Sequence, residues 1–233
     1  MAGWITHMRI ADEVLKKLPD LDRTGFCMGS IAPDCNVENE DWTVFTPPRE
    51  VTHWMTGENK LSADYEGFYA RYLKDKALPN EERSFYWGYI AHLIADIAFY
   101  RFIHDEQLTS ARWERICASP GLAEQAQDQP CSWENMKRIF GKKRVFAGIV
   151  AMENEYLHHH PETAYLTVLQ TVKDFPDYLD YLPKGSMMRK IRVMGQAPEA
   201  YDGENDPLFF PREELDGYIE RTCTAIAHYN GSK

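Results

Sequence analysis

The sequence predicts an all-α fold, a multi-helix single domain over residues 1–233, on two observations. Apolar residues recur at helical spacing in segment after segment, and no run keeps the period-two alternation that a half-buried strand requires. The longest apolar stretch, Phe85 to Ile103, carries His92, Asp96 and Arg101. A membrane-spanning helix wants about 20 residues nearly free of charge, so this stretch reads as the central helix of a soluble domain. A chain of 233 residues has room for a substantial core around it.

Each element follows from local chemistry. Ile5, Met8, Ala11, Val14, Leu15 and Leu18 mark an amphipathic first helix closed by Pro19. From Cys27 to Trp54, Pro33, Pro47 and Pro48 interrupt any long helix, and a mostly irregular loop is expected, the kind of segment that often carries function. A second helix is expected over roughly Ser62 to Lys74 and a third over Glu81 to Asp105, punctuated by Pro79 and Asn80. Shorter helices are expected near Ser110–Ala118, Ser132–Phe140, Arg144–His159 and Thr163–Val172. The last, Pro211 to His228, begins with proline and two glutamates, which suit a helix start. Leu182 to Pro198 carries Lys184, Arg189, Lys190 and Arg192 without an acid, and reads as the solvated face of a helix ahead of an acidic stretch, Glu199 to Asp206.

Composition narrows the function. The formal charge is −10, which disfavours duplex nucleic acid as a partner. The start, MAGWITHMRIADEVL, has neither a basic leader with an apolar core nor a small-residue cleavage pattern, so the expectation is a cytoplasmic protein without a secretory signal. Five cysteines, Cys27, Cys35, Cys117, Cys131 and Cys223, form no CxxC spacing and read as structural thiols. The oligomeric state is not written in the sequence.

His92 and Asp96 stand four apart, so they share one side of the central helix and converge. A carboxylate in such apolar surroundings must be paired, hydrogen-bonded or bound to a metal. Either the two residues satisfy each other, or a cation holds them. Three further motifs offer one donor each in an apolar setting: Trp4-Ile5-Thr6-His7, Gly29-Ser30-Ile31-Ala32-Pro33-Asp34 and Thr52-His53-Trp54.

From Trp4 to about Ile103, these motifs together resemble the zinc-dependent phospholipase C family, which is related in fold to P1-type nucleases. In that family the first-helix histidine, the aspartate after a Gly-x-x-x-Pro-like turn, the histidine of a Thr-His pair and the helical His-x-x-x-Asp all bind metal. The resemblance places metal ligands at His7, Asp34, His53, His92 and Asp96. Imidazole nitrogen and carboxylate oxygen suit zinc, and this set suffices for two ions if Asp96 bridges, although other divalent metals remain open. His53, His92 and Asp34 would then surround one ion and His7 the other. Asp34 also matches the family aspartate that serves as general base on the attacking water.

The implied activity is hydrolysis of a phosphoester, a phosphodiester in the first instance, by metal-activated water. The substrate partner is a small molecule or a lipid headgroup. Two rivals stand beside this reading: a P1-nuclease-like nucleotidase or phosphodiesterase, and a non-catalytic metal-binding interaction protein. The chain departs from the family at two points. Trp4 follows three residues, where secreted members use the amino group of a mature tryptophan. The third metal site is also incomplete in pattern, because His104 is two residues beyond the expected position and the pair His158 and Glu162 is interrupted by Pro161. The triplet His158, His159 and His160 reads as a solvent-facing helix end, and His228 as unremarkable surface.

Overall fold

A computed structural model describes residues 3–196 and 210–233, and among these the elements are α-helices with one two-residue hairpin. In chain order they are α1 (Trp4–Lys17), α2 (Arg23–Gly29), β1 (Val37–Glu38), β2 (Phe45–Thr46), α3 (Arg49–Thr52), α4 (Tyr65–Tyr72), α5 (Asn80–Ile103), α6 (Glu106–Ala118), α7 (Ala123–Ala126), α8 (Trp133–Phe140), α9 (Lys142–His159), α10 (Ser186–Met194) and α11 (Arg212–Gly231). Short 3₁₀ turns fall at Ala32–Asp34 and Lys60–Ser62, and a π-type turn at Tyr165–Leu169. The fold is all-α, as the periodicity requires. No described helix is long and apolar enough to cross a membrane.

Helix starts use local side chains. Asp22, Asp64, Asp105 and Ser132 accept the first free N–H groups of α2, α4, α6 and α8 at 2.7, 2.8, 2.9 and 3.2 Å. Helix α1 has no such residue of its own. Its Thr6 N–H and hydroxyl are met instead by Glu153 of α9, at 3.0 and 2.5 Å.

Helix α5, 24 residues long, is buried on nearly every side, and α1, α2, α4 and α11 pack against it. One hydrophobic cluster runs from Trp4 through Phe85, Tyr89 and Ile97 to Ile226. The closest crossing is α2 on α5. A Cβ built at Gly29 would lie 1.9 Å from the Phe85 carbonyl oxygen, and one at Gly88 would lie 2.0 Å from that of Phe26. Gly25 of α2 is similarly close, its Cβ position 2.3 Å from the Glu81 carbonyl oxygen, and the approach these three glycines permit brings the Ser30 carbonyl within 2.8 Å of His92 Nδ1.

Three expectations are corrected. Cys27 to Trp54 is not mostly irregular: α2 runs through Gly29 under the Asp22 cap, and a hairpin pairs Val37 with Thr46 and Glu38 with Phe45. The Asn39 side chain closes the turn by accepting the Thr43 and Val44 N–H groups, both at 2.9 Å. Thr163 to Val172 forms only the five-residue π-type turn, in a stretch where Thr167 and Thr171 hydroxyls bond the carbonyls four residues back. The basic run does contain a helix, α10, but Lys190 is not solvated: it is buried and bonded at 2.5 Å to Glu38. The acidic stretch Glu199 to Asp206 lies outside the described residues.

The remaining surface readings hold in place. His158, His159 and His228 are exposed. All five cysteines are free, with Cys27, Cys35 and Cys223 buried. Cys35 donates its thiol to the Ile31 carbonyl at 3.3 Å, and burial pushes its pKa well up, so it is a packed thiol beside Asp34.

The α2–α5 crossing yields a test. Gly88→Ala should destabilise the fold by about 3 kcal/mol, because a backbone carbonyl cannot move aside as a side chain can, and calorimetry should show a Tm drop of roughly 6–12 °C. Gly121→Ala, where an added Cβ meets nothing within 4 Å, is the control and should leave Tm within a degree or two.

Candidate metal centre

Five side chains from four separate parts of the chain meet at the buried middle of α5. His92 and Asp96 come from that helix, His7 from the second turn of α1, Asp34 from the 3₁₀ turn after α2, and His53 from the residue that ends α3. His53 and His92 are fully buried, His7 and Asp96 nearly so, and Asp34 is half-buried. The ligand-capable atoms fall into two groups, His7 with His92 and Asp96, and Asp34 with His53 and His92.

The distances tie the groups together. His53 Nε2 is 3.4 Å from Asp34 Oδ1 and 3.5 Å from Asp96 Oδ2, and His92 Nε2 is 3.4 Å from His53 Nε2 and 3.6 Å from Asp96 Oδ2. His7 Nε2 stands 3.8 Å from Asp96 Oδ1, and its ring stacks on that of His92 with centroids 4.0 Å apart.

Hydrogen bonds at the far side of two rings decide what these atoms are. His92 Nδ1 donates to the Ser30 carbonyl at 2.8 Å, and His53 Nδ1 donates to the Arg49 carbonyl at 3.1 Å. A carbonyl only accepts, so each neutral ring must carry its free lone pair on Nε2, pointing inward. The centre is therefore lined by acceptors. His7 Nε2 and Asp96 Oδ1 are buried and have no hydrogen-bond partner among the described residues. Such orphans are costly, and a cation between them removes the cost. The donor set, imidazole nitrogen with carboxylate oxygen, and the carbonyls that orient the rings from behind are what zinc requires.

Protonation follows the same environment. Burial and the neighbouring His92 lower the His7 pKa to about 3, so its ring is neutral near pH 7. Burial likewise lowers His53, whereas at His92 burial is outweighed by Asp96 and the pKa is raised. Burial opposes ionisation of both aspartates, but the adjacent imidazoles, His53 beside Asp34 and His92 beside Asp96, outweigh it and hold both carboxyls below the usual range.

Two residues at this site carry no sequence signal. Lys60, in the polar run Gly57 to Ser62, places its ammonium 2.7 Å from Asp96 Oδ2. Glu153, from α9, is held by Thr6 next to His7 and lines the same cavity as Asp34. That cavity, about 340 Å³, is also walled by Trp4, Trp42, Phe45, Arg49 and Lys190.

The residues considered for a third site lie elsewhere. His104 is exposed and donates to the Tyr100 carbonyl at 2.8 Å. His158 is exposed at the end of α9, and exposed Glu162 bonds His160 at 3.0 Å. None of the three belongs to a group of converging donors among the described residues.

Comparison with known proteins agrees with the motifs. Residues 6–119 match the family model described as zinc dependent phospholipase C, a stretch that contains all five donors, Arg49 and Lys60 but ends before Glu153. No curated protein and no solved structure matches the chain.

Metal should stabilise the fold, because an ion that binds only the folded state adds RT ln(1 + [L]/Kd), about 4 kcal/mol at a thousandfold excess over Kd. Chelation should therefore lower Tm, and an unchanged melting curve would remove the ion from this centre. Lys60→Met should tighten zinc binding about tenfold in competition with a chelating dye, since a cation now 2.7 Å from Asp96 no longer opposes the metal.

Proposed function

We propose that the chain, whose residues 6–119 match the family model described as zinc dependent phospholipase C, hydrolyses a phosphodiester, with two zinc ions held by His7, Asp34, His53, His92 and Asp96. Metal-dependent hydrolysis of a phosphoester is the chemistry the family supplies. The observation that carries it to these residues is the pair of buried, partnerless acceptors, His7 Nε2 and Asp96 Oδ1, beside a second group of three donors that shares His92. Asp96 reaches toward His7 with one oxygen, at 3.8 Å, and toward His53 of the second group with the other, at 3.5 Å, and would be the carboxylate shared by the two ions. Zinc bound there would polarise phosphoryl oxygens and activate water.

The chain's own residues do the rest. The Ser30 and Arg49 carbonyls fix two imidazole rings in the tautomer that turns Nε2 inward. Asp34 is the only one of the five donors that also lines the cavity, so it is placed both to hold metal and to accept a proton from the attacking water. The apolar side chains around α5 exclude bulk water, which strengthens every charge interaction inside. The rival in which the polar residues merely satisfy one another has the Lys60–Asp96 contact in its favour. It leaves His7 Nε2 and Asp96 Oδ1 without partners, and the metal reading does not.

The test is metal content and turnover together. Protein purified without chelators should carry two zinc ions per chain and hydrolyse phosphodiesters in a parallel screen with nucleotides and simple phosphomonoesters. Asp96→Asn should lower the zinc content and reduce turnover by at least about a hundredfold. Zinc-replete protein inert to all three substrate classes would sink the proposal.

A further inference from the structure

The cavity that opens on Asp34 has a charge pattern that bears on which phosphoester enters it. Its aromatic walls outside the core are Trp42 and Phe45, carried by the β1–β2 hairpin, while Trp4 and Tyr165 also line it but are buried in the core. Two more residues are cationic, and they differ. Lys190 is neutralised by Glu38 at 2.5 Å, and its ammonium lies 5.1 Å from the Trp42 ring and 5.6 Å from the Phe45 ring. Arg49 is exposed, rests its guanidinium 4.8 Å from the Phe45 ring, and has no ion pair among the described residues.

A headgroup such as choline needs a free aromatic face or an unengaged carboxylate. Here both rings already carry a protein cation. Of the carboxylates in the lining, Asp34 is turned to His53 at 3.4 Å and Glu153 accepts from Thr6. The unpaired guanidinium has the opposite preference, because its planar fork binds carboxylate or phosphate through two parallel hydrogen bonds. Its position is also tied to the centre, since the Arg49 carbonyl accepts both the main-chain N–H of His53, at 2.8 Å, and the ring Nδ1–H, at 3.1 Å.

We propose that Arg49 sets substrate choice at this centre by binding a second anionic group, a carboxylate or a phosphate, on the headgroup of the phosphoester, so that cationic headgroups are disfavoured. This inference rests on the hydrolase reading for the scissile phosphate and adds the class of the group beside it. The same chemistry is offered by a lipid headgroup and by its water-soluble counterpart.

The experiment uses the zinc-loaded full chain and two arms. In the soluble arm, calorimetry compares binding of glycerophosphoserine with glycerophosphocholine. In the lipid arm, the hydrolysis of short-chain phosphatidylserine and phosphatidylcholine is compared in mixed micelles. The wild type should favour the serine compound about tenfold. Arg49→Met, which keeps the carbonyl that holds His53, should bring the ratio to about one, and Arg49→Lys should restore part of it. Zinc content and Tm verify each variant, with Arg49→Gln as the substitute if the methionine variant is misfolded. Selectivity confined to one arm supports the proposal and identifies the source as free or lipid. A choline preference in either arm, no selectivity in both arms, or a ratio unchanged in Arg49→Met overturns it. Turnover of bis(p-nitrophenyl) phosphate reads the hydrolase proposal separately: selective binding without that turnover removes the hydrolysis and leaves the Arg49 assignment, and turnover without selectivity does the reverse.

Discussion

Two carboxylates and three imidazoles face one another inside an apolar core, and the need to balance them governs the arrangement around α5. Taking such groups out of water is expensive unless each finds a partner or a cation. Asp96 has one oxygen on Lys60 and the other on nothing, and His7 turns an unpartnered nitrogen toward it. Every nearby element serves this cluster. Helix α2 comes close enough to α5 to offer the Ser30 carbonyl to His92, and the start of α3 offers the Arg49 carbonyl to His53. Those main-chain acceptors leave lone pairs, not N–H groups, pointing inward.

The same constraint explains why the glycines of the α2–α5 crossing cannot be exchanged. A methyl group at Gly29 or Gly88 would meet a backbone carbonyl near 2 Å, and separating the helices would take Ser30 from His92. Packing and chemistry are one problem here: the contact that builds the core also sets the tautomer of a donor. Lys60 belongs to the same balance from outside the helix bundle, as the charge that partly offsets the carboxylates before any metal arrives.

Around the mouth the logic changes from burial to selection. The hairpin places Trp42 and Phe45 over the cavity, Lys190 is held close to both rings beside Glu38, and Arg49 has a ring contact and no counter-charge among the described residues. The centre would treat any phosphoester alike, because it acts on the phosphate. What lies beside the phosphate would be read by the surrounding walls.

The sequence by itself determined the helices and the candidates for the centre. Period-3.6 apolar spacing and flanking prolines are local properties, so α1, α4, α5, α8, α9 and α11 were legible within a few residues. His92 and Asp96 were legible as a pair because four residues make one helical turn, while His7, Asp34 and His53 emerged only as a set of short motifs in order. Tertiary structure alone decided the rest. Lys60, Glu153 and Arg49 sit in segments without a motif, and they matter only because folding brings them across 36, 147 and 15 residues of chain to Asp96, Thr6 and Asp34 respectively. Helix α2 and the hairpin escaped a reading by periodicity, since a seven-residue helix with two glycines and a pair of two-residue strands are too short to show one. They are held by an Asp22 cap, an Asn39 turn and contact with α5, and interactions between distant residues leave no period in the chain that makes them.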